Sequence, residues 1–446
     1  MFQSLLIANR GEIARRIIRT ARRLGLATIA VHSEADAGAA HVHEADRSVC
    51  IGPAPARDSY LRVEAILEAA RATGAQAVHP GYGFLSESAG FARAVMQAGL
   101  VWVGPAPETI EAVGDKAAAR RLMSAHGLPV NPGGAVADAA EAAALAERVG
   151  FPLLVKPAAG GGGVGMKIVR DADALWSVCE RTRDQALRFF GGGGLLLERY
   201  LEGARHVEVQ ILGLADGRVL ALGERDCSVQ RRFQKVVEET PSPGLSPALR
   251  TRMLAACVTA AERLGYRGAG TIECLAAGDE FVFLEVNARL QVEHPVTELV
   301  TGLDLVEAQL RIAAGEAWAP PEGLRSGGHA IELRVYAEDP VRFLPGPGRI
   351  AVWREPEGAG VRVDAGYRAG DEVTAHYDPL LAKLCLWGAD RGEALDRARR
   401  AVAEFRIEGP RCNLPFLAEV LEHPDFVSGA YDTGLVGRMR GRKEPA

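Results

Sequence analysis

The sequence predicts an α/β fold in its N-terminal part and an α+β fold beyond it, and two patterns carry this prediction. In the N-terminal part, short apolar runs alternate with stretches of helical periodicity, which is typical of a parallel sheet wrapped by helices. Further along, strand-like runs at residues 270–275 and 281–287 flank turn residues and predict an antiparallel hairpin. The chain of 446 residues has room for about three domains.

Composition places the chain among ordinary folded proteins. Hydrophobic residues make up 48% of it, charged residues 24%, and the net charge is −5, a balance that gives no reason to expect nucleic-acid or membrane-surface binding. The seven cysteines form no Cys-x-x-Cys pair, and the sequence shows neither a signal-peptide pattern nor a spanning apolar run. We therefore expect reduced thiols, no zinc site, no membrane contact and a cytoplasmic location.

Five short apolar runs predict the strands of the parallel sheet, at residues 5–8, 28–31, 48–51, 77–79 and 101–103. A helix follows the first of them. Its arginines lie largely off the apolar stripe and are predicted to face solvent: Arg15, Arg16, Arg19, Arg22 and Arg23. The segment 9–12 lacks the Gly-x-Gly-x-x-Gly pattern, which argues against a dinucleotide site. The turn-rich segment 79–87 places Tyr82 at the carboxyl end of the sheet, where ligands bind in such folds, although a plain tight turn explains its glycines equally well.

Two lysines and a glycine run predict a phosphate-binding region. Lys116 begins a helix that Asp115 is placed to cap. Lys156 ends an apolar strand that leads into a glycine run, a backbone that can lie close to phosphates. The run contains Gly160, Gly161, Gly162 and Gly163. No Gly-Lys-Ser/Thr follows, so this is not a Walker loop, and a flexible linker is the alternative.

The next segments combine strand periodicity with charge. The strand at 195–201 turns polar at Glu198 and suits a hinge that receives adenine, with Glu198 facing the amino group of the base. His206 opens an alternating strand, where a histidine satisfied within the sheet is the usual interpretation. The segment 224–239 is too polar for a core strand and is predicted to be a charged loop, with Lys235 facing phosphate or carboxylate as the alternative.

The stretch after the hairpin turn alternates between apolar and functional side chains, which gives one face of each kind in an extended chain. On the functional face, Glu285 is predicted to lie opposite Glu273, and opposed carboxylates repel unless something neutralises them. With the Asn287 amide oxygen they form an all-oxygen ligand set that suits Mg²⁺ or Mn²⁺. Arg289 and Glu293 continue this face as an anion site and a general base. The plainer interpretation is a half-buried strand with a solvated edge.

These features occur in an order that matches a known family. The sequence resembles the biotin carboxylases of the ATP-grasp superfamily in Lys116, Lys156 with its glycines, Glu198, His206, the segment 230–239, Glu273 and the string Glu285-Val-Asn-Ala-Arg-Leu-Gln-Val-Glu-His-Pro-Val-Thr-Glu298. The similarity covers nearly the whole chain, through residues 7–14, 79–88, 337–339 and 377–379. Other ATP-grasp ligases share the lysines and the metal carboxylates but not these strings.

The resemblance implies an α/β and α+β architecture of three domains. Residues 1–112 would form an N-terminal Rossmann-like (pre-ATP-grasp) domain. Residues 113–318 would form the ATP-grasp domain, with a mobile glycine-rich lid at about 128–200. Residues 328–446 would form the C-terminal α+β domain of biotin carboxylases.

The resemblance also implies a role for each matching residue. Lys116, Lys156 and the four glycines of the lid would bind ATP phosphates, and the adenosine would lie against Glu198, Arg199, Leu201, His206 and Gln230, with Phe233 at a further nucleotide contact. Two Mg²⁺ or Mn²⁺ ions would be held by Glu273, Glu285 and Asn287. Bicarbonate and biotin would lie against Tyr82, Lys235, Arg289, Gln291, Val292, Glu293 and Arg334. The expected catalytic residues are Arg289, Glu293, Lys235 and Arg334, with Glu293 as the base and Arg334 facing the ureido oxygen of biotin.

The implied reaction uses ATP and bicarbonate to carboxylate biotin on a carrier protein, through carboxyphosphate, as the first half-reaction of an acyl-CoA carboxylase. Acetyl-CoA is the expected final acceptor. The sequence contains no Ala/Val-Met-Lys-Met string for biotin attachment, so we expect the biotin carboxyl carrier protein and the carboxyltransferase on separate chains. The family resemblance further implies a homodimer.

Three positions depart from the family pattern and keep alternatives open. Val164 replaces the usual Arg or Lys of the lid, Phe233 replaces a histidine, and Arg199 replaces a common lysine, which changes the geometry of the charge. One alternative is a nucleotide-binding or regulatory homologue with weakened catalysis. Another is an ATP-grasp ligase that joins a carboxylate to an amine. A Rossmann-type oxidoreductase is the weakest, and a lack of NAD binding would exclude it.

Overall fold

The computed structural model describes residues 1–158, 165–190, 192–321 and 327–441. Within these ranges the chain forms three main sheets and two short two-stranded ribbons. None of the described helices is both long and apolar enough to cross a bilayer.

The first sheet is parallel and five-stranded, as predicted. Its strands are β1 (Ser4–Ile7), β2 (Ala27–His32), β3 (Arg47–Cys50), β4 (Ala77–His79) and β5 (Val101–Trp102), in the order β3-β2-β1-β4-β5. The helices around it are α1 (Gly11–Arg23), α2 (Ala40–Glu44), α3 (Val63–Thr73), α4 (Ala89–Gln97) and α5 (Pro107–Gly114). The strand order reverses between β1 and β4, and a crevice at that point is the usual ligand site of such sheets. There the Asn9 side chain donates to the carbonyls of Pro80 and Tyr82, each at 2.7 Å, which fixes the loop after β4.

The second sheet is antiparallel and four-stranded, and it follows helix α6 (Lys116–Ala125). Its strands are β6 (Gly133–Val136), β7 (Leu153–Pro157), β8 (Lys167–Val169) and β9 (Leu195–Arg199), in the order β6-β9-β7-β8. Helices α7 (Ala139–Val149) and α8 (Ala172–Phe190) pack against it around a small apolar core. The predicted glycine run and Val164 follow β7 and lie outside the described residues.

The third sheet is antiparallel, has eight strands and runs through the centre of the chain. In sequence its strands are β10 (Arg205–Gly213), β11 (Val219–Arg231), β12 (Gln234–Thr240), β13 (Gly268–Ala277), β14 (Glu280–Asn287), β15 (His329–Tyr336), β18 (Val361–Ala365) and β20 (Leu380–Gly388). Their spatial order is β14-β13-β10-β11-β12-β15-β20-β18. The prediction of a charged loop at 224–239 is therefore wrong. These residues form most of β11 and β12, and most of their charged side chains are buried, with Arg232 exposed at the turn between the two strands.

The remaining elements complete the C-terminal half. They are the ribbons β16 (Gly348–Arg349) with β19 (Glu372–Val373) and β17 (Val352–Arg354) with β21 (Arg406–Glu408), and the helices α9 (Pro247–Arg263), α10 (His294–Thr301), α11 (Leu305–Ala313), α12 (Arg391–Glu404), α13 (Leu414–Glu422), α14 (Pro424–Ser428) and α15 (Leu435–Met439). Strand β12 pairs with β15, with Val237 opposite Leu333. The central sheet thus continues without a break into the C-terminal part.

The arginine face of α1 is solvated only in part, which differs from the sequence prediction. Arg16 is 3% exposed, and its guanidinium contacts Glu298 at 2.7 Å and Asp304 at 2.8 Å. Arg19 reaches Asp364 at 2.9 Å. The prediction is wrong for Arg16 because its acidic partners lie 282 and 288 residues away in sequence, where helical periodicity carries no information about them.

Candidate active site

One cavity of about 1750 Å³ lies between the three sheets. The predicted site residues that line it are Tyr82, Lys116, Lys156, Glu198, Arg199, Leu201, His206, Gln230, Phe233, Lys235, Glu273, Glu285, Asn287, Arg289, Gln291, Val292 and Arg334. Glu293 is fully buried directly behind this wall. The volume exceeds the roughly 300–1,000 Å³ of a typical small-molecule site, so the cavity has room for more than one ligand.

The hairpin of β13 and β14 places Glu273 directly opposite Glu285, which confirms the predicted pairing. The turn is centred one half-residue earlier than predicted, because Ala277 pairs with Glu280. Continued regularly, that register would pair Glu273 with Leu284. A bulge between the pairs Cys274–Phe283 and Glu273–Glu285 skips Leu284 and restores the opposition of the two carboxylates.

Lys235 lies at the centre of the site. Its ammonium group donates to Glu208 at 2.6 Å, Glu293 at 2.7 Å and Glu273 at 2.8 Å. Burial would lower the pKa of Lys235, but these carboxylates more than offset it and raise the pKa well above its ordinary value. One permanent cation therefore joins three carboxylates that come from β10, β13 and the segment after β14.

Glu273 accepts three hydrogen bonds, all at one of its carboxylate oxygens. Besides Lys235, its donors are Asn287 at 3.0 Å and Gln291 at 3.1 Å, and His206 Nε2 lies 2.8 Å from its other carboxylate oxygen. Burial would raise the pKa of Glu273, yet Lys235 and His206 lower it well below the ordinary range. The carboxylate is thus ionised and ready to accept a cation or a hydrogen-bond donor from a ligand.

The predicted metal ligands fit a hard divalent cation. Glu285 lies 3.2 Å from the Lys116 ammonium, and Glu273 contacts Lys235, so each carboxylate of the opposed pair now has a lysine as its counterion. The Asn287 oxygen accepts from Arg289 at 2.7 Å. Carboxylate and amide oxygens are the ligands that Mg²⁺ and Mn²⁺ prefer.

His206 is held on both sides of its ring. One nitrogen contacts Glu273 and the other lies 2.7 Å from the Gln230 amide. Burial would lower the pKa of His206, but the neighbouring Glu273 raises it. Among the described residues, the sheet histidine is thus hydrogen-bonded at one ring nitrogen only, and it also belongs to the cavity wall.

Glu293 is the proposed base, and its surroundings differ from those expected. Its carboxylate contacts Lys235 and also Arg334, the latter at 3.0 Å. Burial would raise the pKa of Glu293, but Lys235, Arg334 and Arg225 together lower it well below its ordinary value. A general base that works near neutral pH would need a higher pKa than this arrangement gives. Glu293 is ionised, and it becomes a stronger base only when a ligand draws one of these cations away.

Two arginines frame the same end of the cavity. Arg334 donates from Nε to Glu238 at 2.6 Å as well as to Glu293. Arg289 donates to Asn287 and to Gln291, at 2.7 and 2.8 Å, and its Nε lies 3.1 Å from Glu87. Both guanidinium groups are therefore oriented by carboxylate or amide oxygens before any ligand binds, which is the arrangement that anion recognition requires.

The other end of the cavity carries the predicted nucleotide residues. Lys156 contacts Glu198 at 2.5 Å, and Arg199 and Leu201 follow at the end of β9. Phe233 lies at the tip of the β11–β12 hairpin and is 49% exposed. Arg232 and Phe233 both have positive φ, at 51° and 67°, as a two-residue hairpin turn of matching twist requires.

Several residues of the site escaped the sequence interpretation. Glu208 and Glu238 contact Lys235 and Arg334 directly, and the fully buried Arg225 binds Glu208 at 2.6 Å. The sequence did contain a signal for Glu208, because it shares the strand alternation of His206. The structure places it opposite Glu273 in the sheet register. Glu12 accepts from the Tyr82 hydroxyl. Its pairing crosses 70 residues, and no local pattern predicts it.

Comparison with known proteins matches the chain along its whole length. Family models match residues 1–110 (biotin carboxylase, N-terminal domain), 115–319 (carbamoyl-phosphate synthase L chain, ATP binding domain) and 332–438 (biotin carboxylase C-terminal domain). A biotin carboxylase of Halalkalibacterium halodurans is 50% identical, with 98% of this chain and 97% of the relative covered. Relatives with other names include the mitochondrial methylcrotonoyl-CoA carboxylase of Oryza sativa, whose alpha polypeptide is 48% identical over 98% of this chain and 60% of the relative. A pyruvate carboxylase polypeptide of Methanothermobacter thermautotrophicus is 45% identical over 99% of this chain and 90% of the relative.

Solved structures give the same answer. The biotin carboxylase of Campylobacter jejuni in complex with a β,γ-ATP ligand has a TM-score of 0.95 at 41% identity, covering 98% of this chain and 99% of that one. The biotin carboxylase domain dimer of Hydrogenobacter thermophilus 2-oxoglutarate carboxylase, in complex with MgADP, ADP and bicarbonate, has a TM-score of 0.93 at 42% identity, covering 98% of each chain. With the lysine-centred carboxylate site on one large cavity and these matches over nearly its full length, the chain belongs to the biotin carboxylases, the ATP-dependent ligases of biotin-dependent carboxylases.

Proposed function

We propose that this chain carboxylates biotin on a carrier protein, using ATP and bicarbonate, in the first half-reaction of an acetyl-CoA carboxylase. The observation that carries the proposal is the position of Lys235, which joins Glu273 of the opposed carboxylate pair to Glu293, the proposed base. In this proposal, the ammonium group of Lys235 connects the phosphoryl-transfer region to the acid–base region.

The nucleotide would lie at the end of the cavity that contains Lys116, Lys156 and Glu198. Lys116 and Lys156 now contact Glu285 and Glu198, and we propose that they turn to ATP phosphates when the nucleotide binds. Glu273, Glu285 and Asn287 would hold two Mg²⁺ or Mn²⁺ ions, which withdraw charge from the phosphate oxygens. Freed of its lysine, Glu198 would accept from the amino group of adenine.

Bicarbonate would bind between Arg289, Gln291 and Val292. Its oxygen would attack the γ-phosphorus of ATP, and ADP would leave, giving carboxyphosphate. Glu293 would take the bicarbonate proton in this step. Arg289 and Lys235 are cations at the edge of this position, and binding of the anion would draw Lys235 partly away from Glu293. The base would then gain strength when the substrate arrives.

Biotin would enter from the side of Tyr82 and Arg334. Carboxyphosphate would break down to CO₂ and phosphate inside the closed cavity, and the phosphate would remove the N1′ proton of biotin. Arg334 would stabilise the negative charge that develops on the ureido oxygen, and biotin nitrogen would then attack CO₂. What supports this role is the orientation of Arg334, fixed by Glu238 on one side and Glu293 on the other.

The first experiment measures ATP cleavage by the purified chain with Mg²⁺ and free biotin, with and without bicarbonate, while labelled bicarbonate is followed into carboxybiotin. Bicarbonate-dependent cleavage with label in biotin supports the proposal. Label trapped as an acyl phosphate of an added carboxylic acid would indicate a carboxylate–amine ligase instead. ATP binding without cleavage would indicate a regulatory homologue and would make Val164 and Phe233 the positions to restore.

We propose acetyl-CoA as the acceptor of the complete enzyme, and relatives named for methylcrotonoyl-CoA and pyruvate make this a question for experiment. The assay is fixation of labelled bicarbonate by the complex purified with this chain from its own cells, with acetyl-CoA, propionyl-CoA, methylcrotonoyl-CoA and pyruvate compared. Label incorporated only with another acceptor would overturn this part of the proposal.

We propose further that the carrier and carboxyltransferase are separate chains and that this chain forms a homodimer. The dimer of the Hydrogenobacter thermophilus domain supports the second statement. The molar mass of the purified chain by light scattering tests it, and a monomer at micromolar concentration would contradict it.

A further inference from the structure

Two consecutive backbone carbonyls next to Glu293, the proposed base, accept hydrogen bonds from buried side chains. The Gln291 carbonyl lies 2.8 Å from His294 Nδ1, and the Val292 carbonyl accepts from the Lys383 ammonium at 2.9 Å. Both donor side chains are fully buried. A carbonyl can only accept, so Nδ1 of His294 carries the proton.

This arrangement fixes the direction of two amide groups. In a trans peptide the N–H points opposite to the C=O, so the N–H groups of Val292 and Glu293 point away from His294 and Lys383. Val292 lies on the cavity wall. Among the residues that the structure describes, neither of these two amides donates to a protein acceptor. Two successive backbone N–H groups without a protein acceptor are donors available to an anion.

Lys383 is an unexpected residue at its position. It is the single cation in the apolar run of β20, and its ammonium is buried, which is unfavourable unless the charge is paired. Its partners are the Val292 carbonyl and Glu12 of α1, the latter at 3.1 Å. In the sheet register it lies directly opposite Arg334. Lys383 thus contacts α1 near the N-terminus and the turn that contains the proposed base. It also lies beside Arg334, the arginine proposed to face biotin.

We propose that Lys383 and His294 are positioning residues that aim the Val292 and Glu293 amides at bicarbonate. The inference rests on the proposed function, in which bicarbonate binds against Val292. Neither side chain touches the substrate. Each acts through the carbonyl that it holds, so its loss would weaken bicarbonate binding without removing any catalytic group.

The first test replaces Lys383 with methionine, which has a similar length and no donor. We expect the KM for bicarbonate to rise about tenfold while the KM for ATP changes less than about twofold, because the turn at 291–293 loses its support and the nucleotide end of the cavity keeps its contacts. The matched control is Arg391→Met. Arg391 also holds backbone carbonyls, those of Phe426 and Val427 at 2.6 and 2.7 Å, but it is not among the residues that line the cavity. This variant should lose stability and keep the wild-type KM for bicarbonate.

The second test uses His294, because the Lys383 variant leaves an unpaired Glu12 and its folding is at risk. His294→Leu removes the donor, whereas His294→Asn keeps an N–H near the position of Nδ1. We expect the leucine variant to show the same selective rise in the KM for bicarbonate, about fivefold to tenfold, and the asparagine variant to recover most of it. A purely structural role for His294 would give the two variants equal values.

The outcomes separate this inference from the proposed function. If the wild-type chain shows no bicarbonate-dependent ATP cleavage, the proposed function fails. If the wild type is active, an unchanged KM for bicarbonate in Lys383→Met and His294→Leu overturns the positioning role alone. An equal rise in the KM values for ATP and bicarbonate, or the same rise in Arg391→Met, also overturns it.

Discussion

The two faces of the central sheet at β12, β15 and β20 are equally buried and chemically opposite. The face toward the cavity, here the site face, carries Glu238, Glu332, Arg334 and Lys383, and all four are 7% exposed or less. The face toward α12 and α13, here the core face, carries mainly aliphatic side chains, among them Val237, Leu333, Leu384 and Leu386. Burial alone therefore does not distinguish structural from functional residues in this protein.

The difference is sharpest at two neighbours on β12. On the core face, Glu239 accepts four hydrogen bonds, from His329, Tyr431 and twice from Arg391, at 2.6–2.9 Å. Burial would raise its pKa, but His329 and Arg391 lower it to about 2. On the site face, Glu238 has Arg334 as a partner for one oxygen, while its other oxygen is buried without a hydrogen bond among the described residues. Burial raises its pKa to about 7. On this strand, the fully paired carboxylate lies on the core face and the incompletely paired one lies on the site face.

The largest expected effect comes from Glu293→Gln, at the carboxylate that contacts Arg334 of the site face. The substitution keeps the shape of the side chain but removes the proton acceptor. We expect bicarbonate-dependent ATP cleavage to fall by about 10³-fold or more, while ATP affinity stays within about twofold of the wild type. Phosphate release and calorimetric ATP titration measure the two quantities.

The matched control for this variant is the same substitution on the core face, Glu239→Gln, which should keep the wild-type rate per folded molecule. Wild-type turnover in Glu293→Gln would remove Glu293 from the mechanism and with it the functional assignment of the site face.

Glu239→Gln itself should give the largest loss of stability. It leaves Arg391 and His329 without their carboxylate, and breaking such a buried pair costs about 3 kcal/mol of unfolding free energy. Because the folded pKa is depressed to about 2 from 4.5, the contribution is complete above pH 4.5 and is lost as pH falls toward 2. Urea unfolding of both proteins from pH 7 to pH 3 should show the difference shrinking with acid. A difference independent of pH would show that the charge of Glu239 is not what stabilises the core face.

Glu238→Gln should behave in the opposite way. The folded pKa is raised from 4.5 to about 7, so the stability that the wild-type residue contributes is complete below pH 4.5 and is lost as pH rises through 7. Gln cannot ionise, and the variant should therefore gain about 2 kcal/mol relative to the wild type between pH 5 and pH 9. Melting temperatures across this range test the sign. A variant that loses relative stability at pH 9 would show that Glu238 is as fully paired as Glu239.

The smallest expected effect is at the hairpin tip, outside both faces. Phe233→His places a hydrogen-bond donor on the cavity wall without changing the turn, and we expect the KM for ATP to fall by about threefold with unchanged melting temperature. Phe233→Leu, which adds no donor, is the control and should not lower the KM. A large loss of stability in the histidine variant would mean that the phenyl ring packs as part of the core.

The sequence by itself determined the features that depend on neighbouring residues. The apolar runs gave the five parallel strands at their correct positions, and Asp115 caps the helix that begins at Lys116, accepting from the Ala118 amide at 2.6 Å. The alternation of the hairpin gave the opposed Glu273 and Glu285, and the ordered motifs gave the family. These signals are local because backbone periodicity and capping act within a few residues.

Only the tertiary structure decided which charges meet. Lys235 binds carboxylates 27, 38 and 58 residues away, so the polarity of its segment suggested a loop although the segment is two buried strands. The same distance effect hid the buried pairs of Arg16 and the link from Lys383 to Val292, 91 residues apart. The low pKa of Glu293 also depends on the tertiary structure, because Lys235, Arg334 and Arg225 come from three separate strands to surround its carboxylate. Long-range pairing produces no periodic pattern in the sequence, because the packing of whole sheets determines which residues become neighbours.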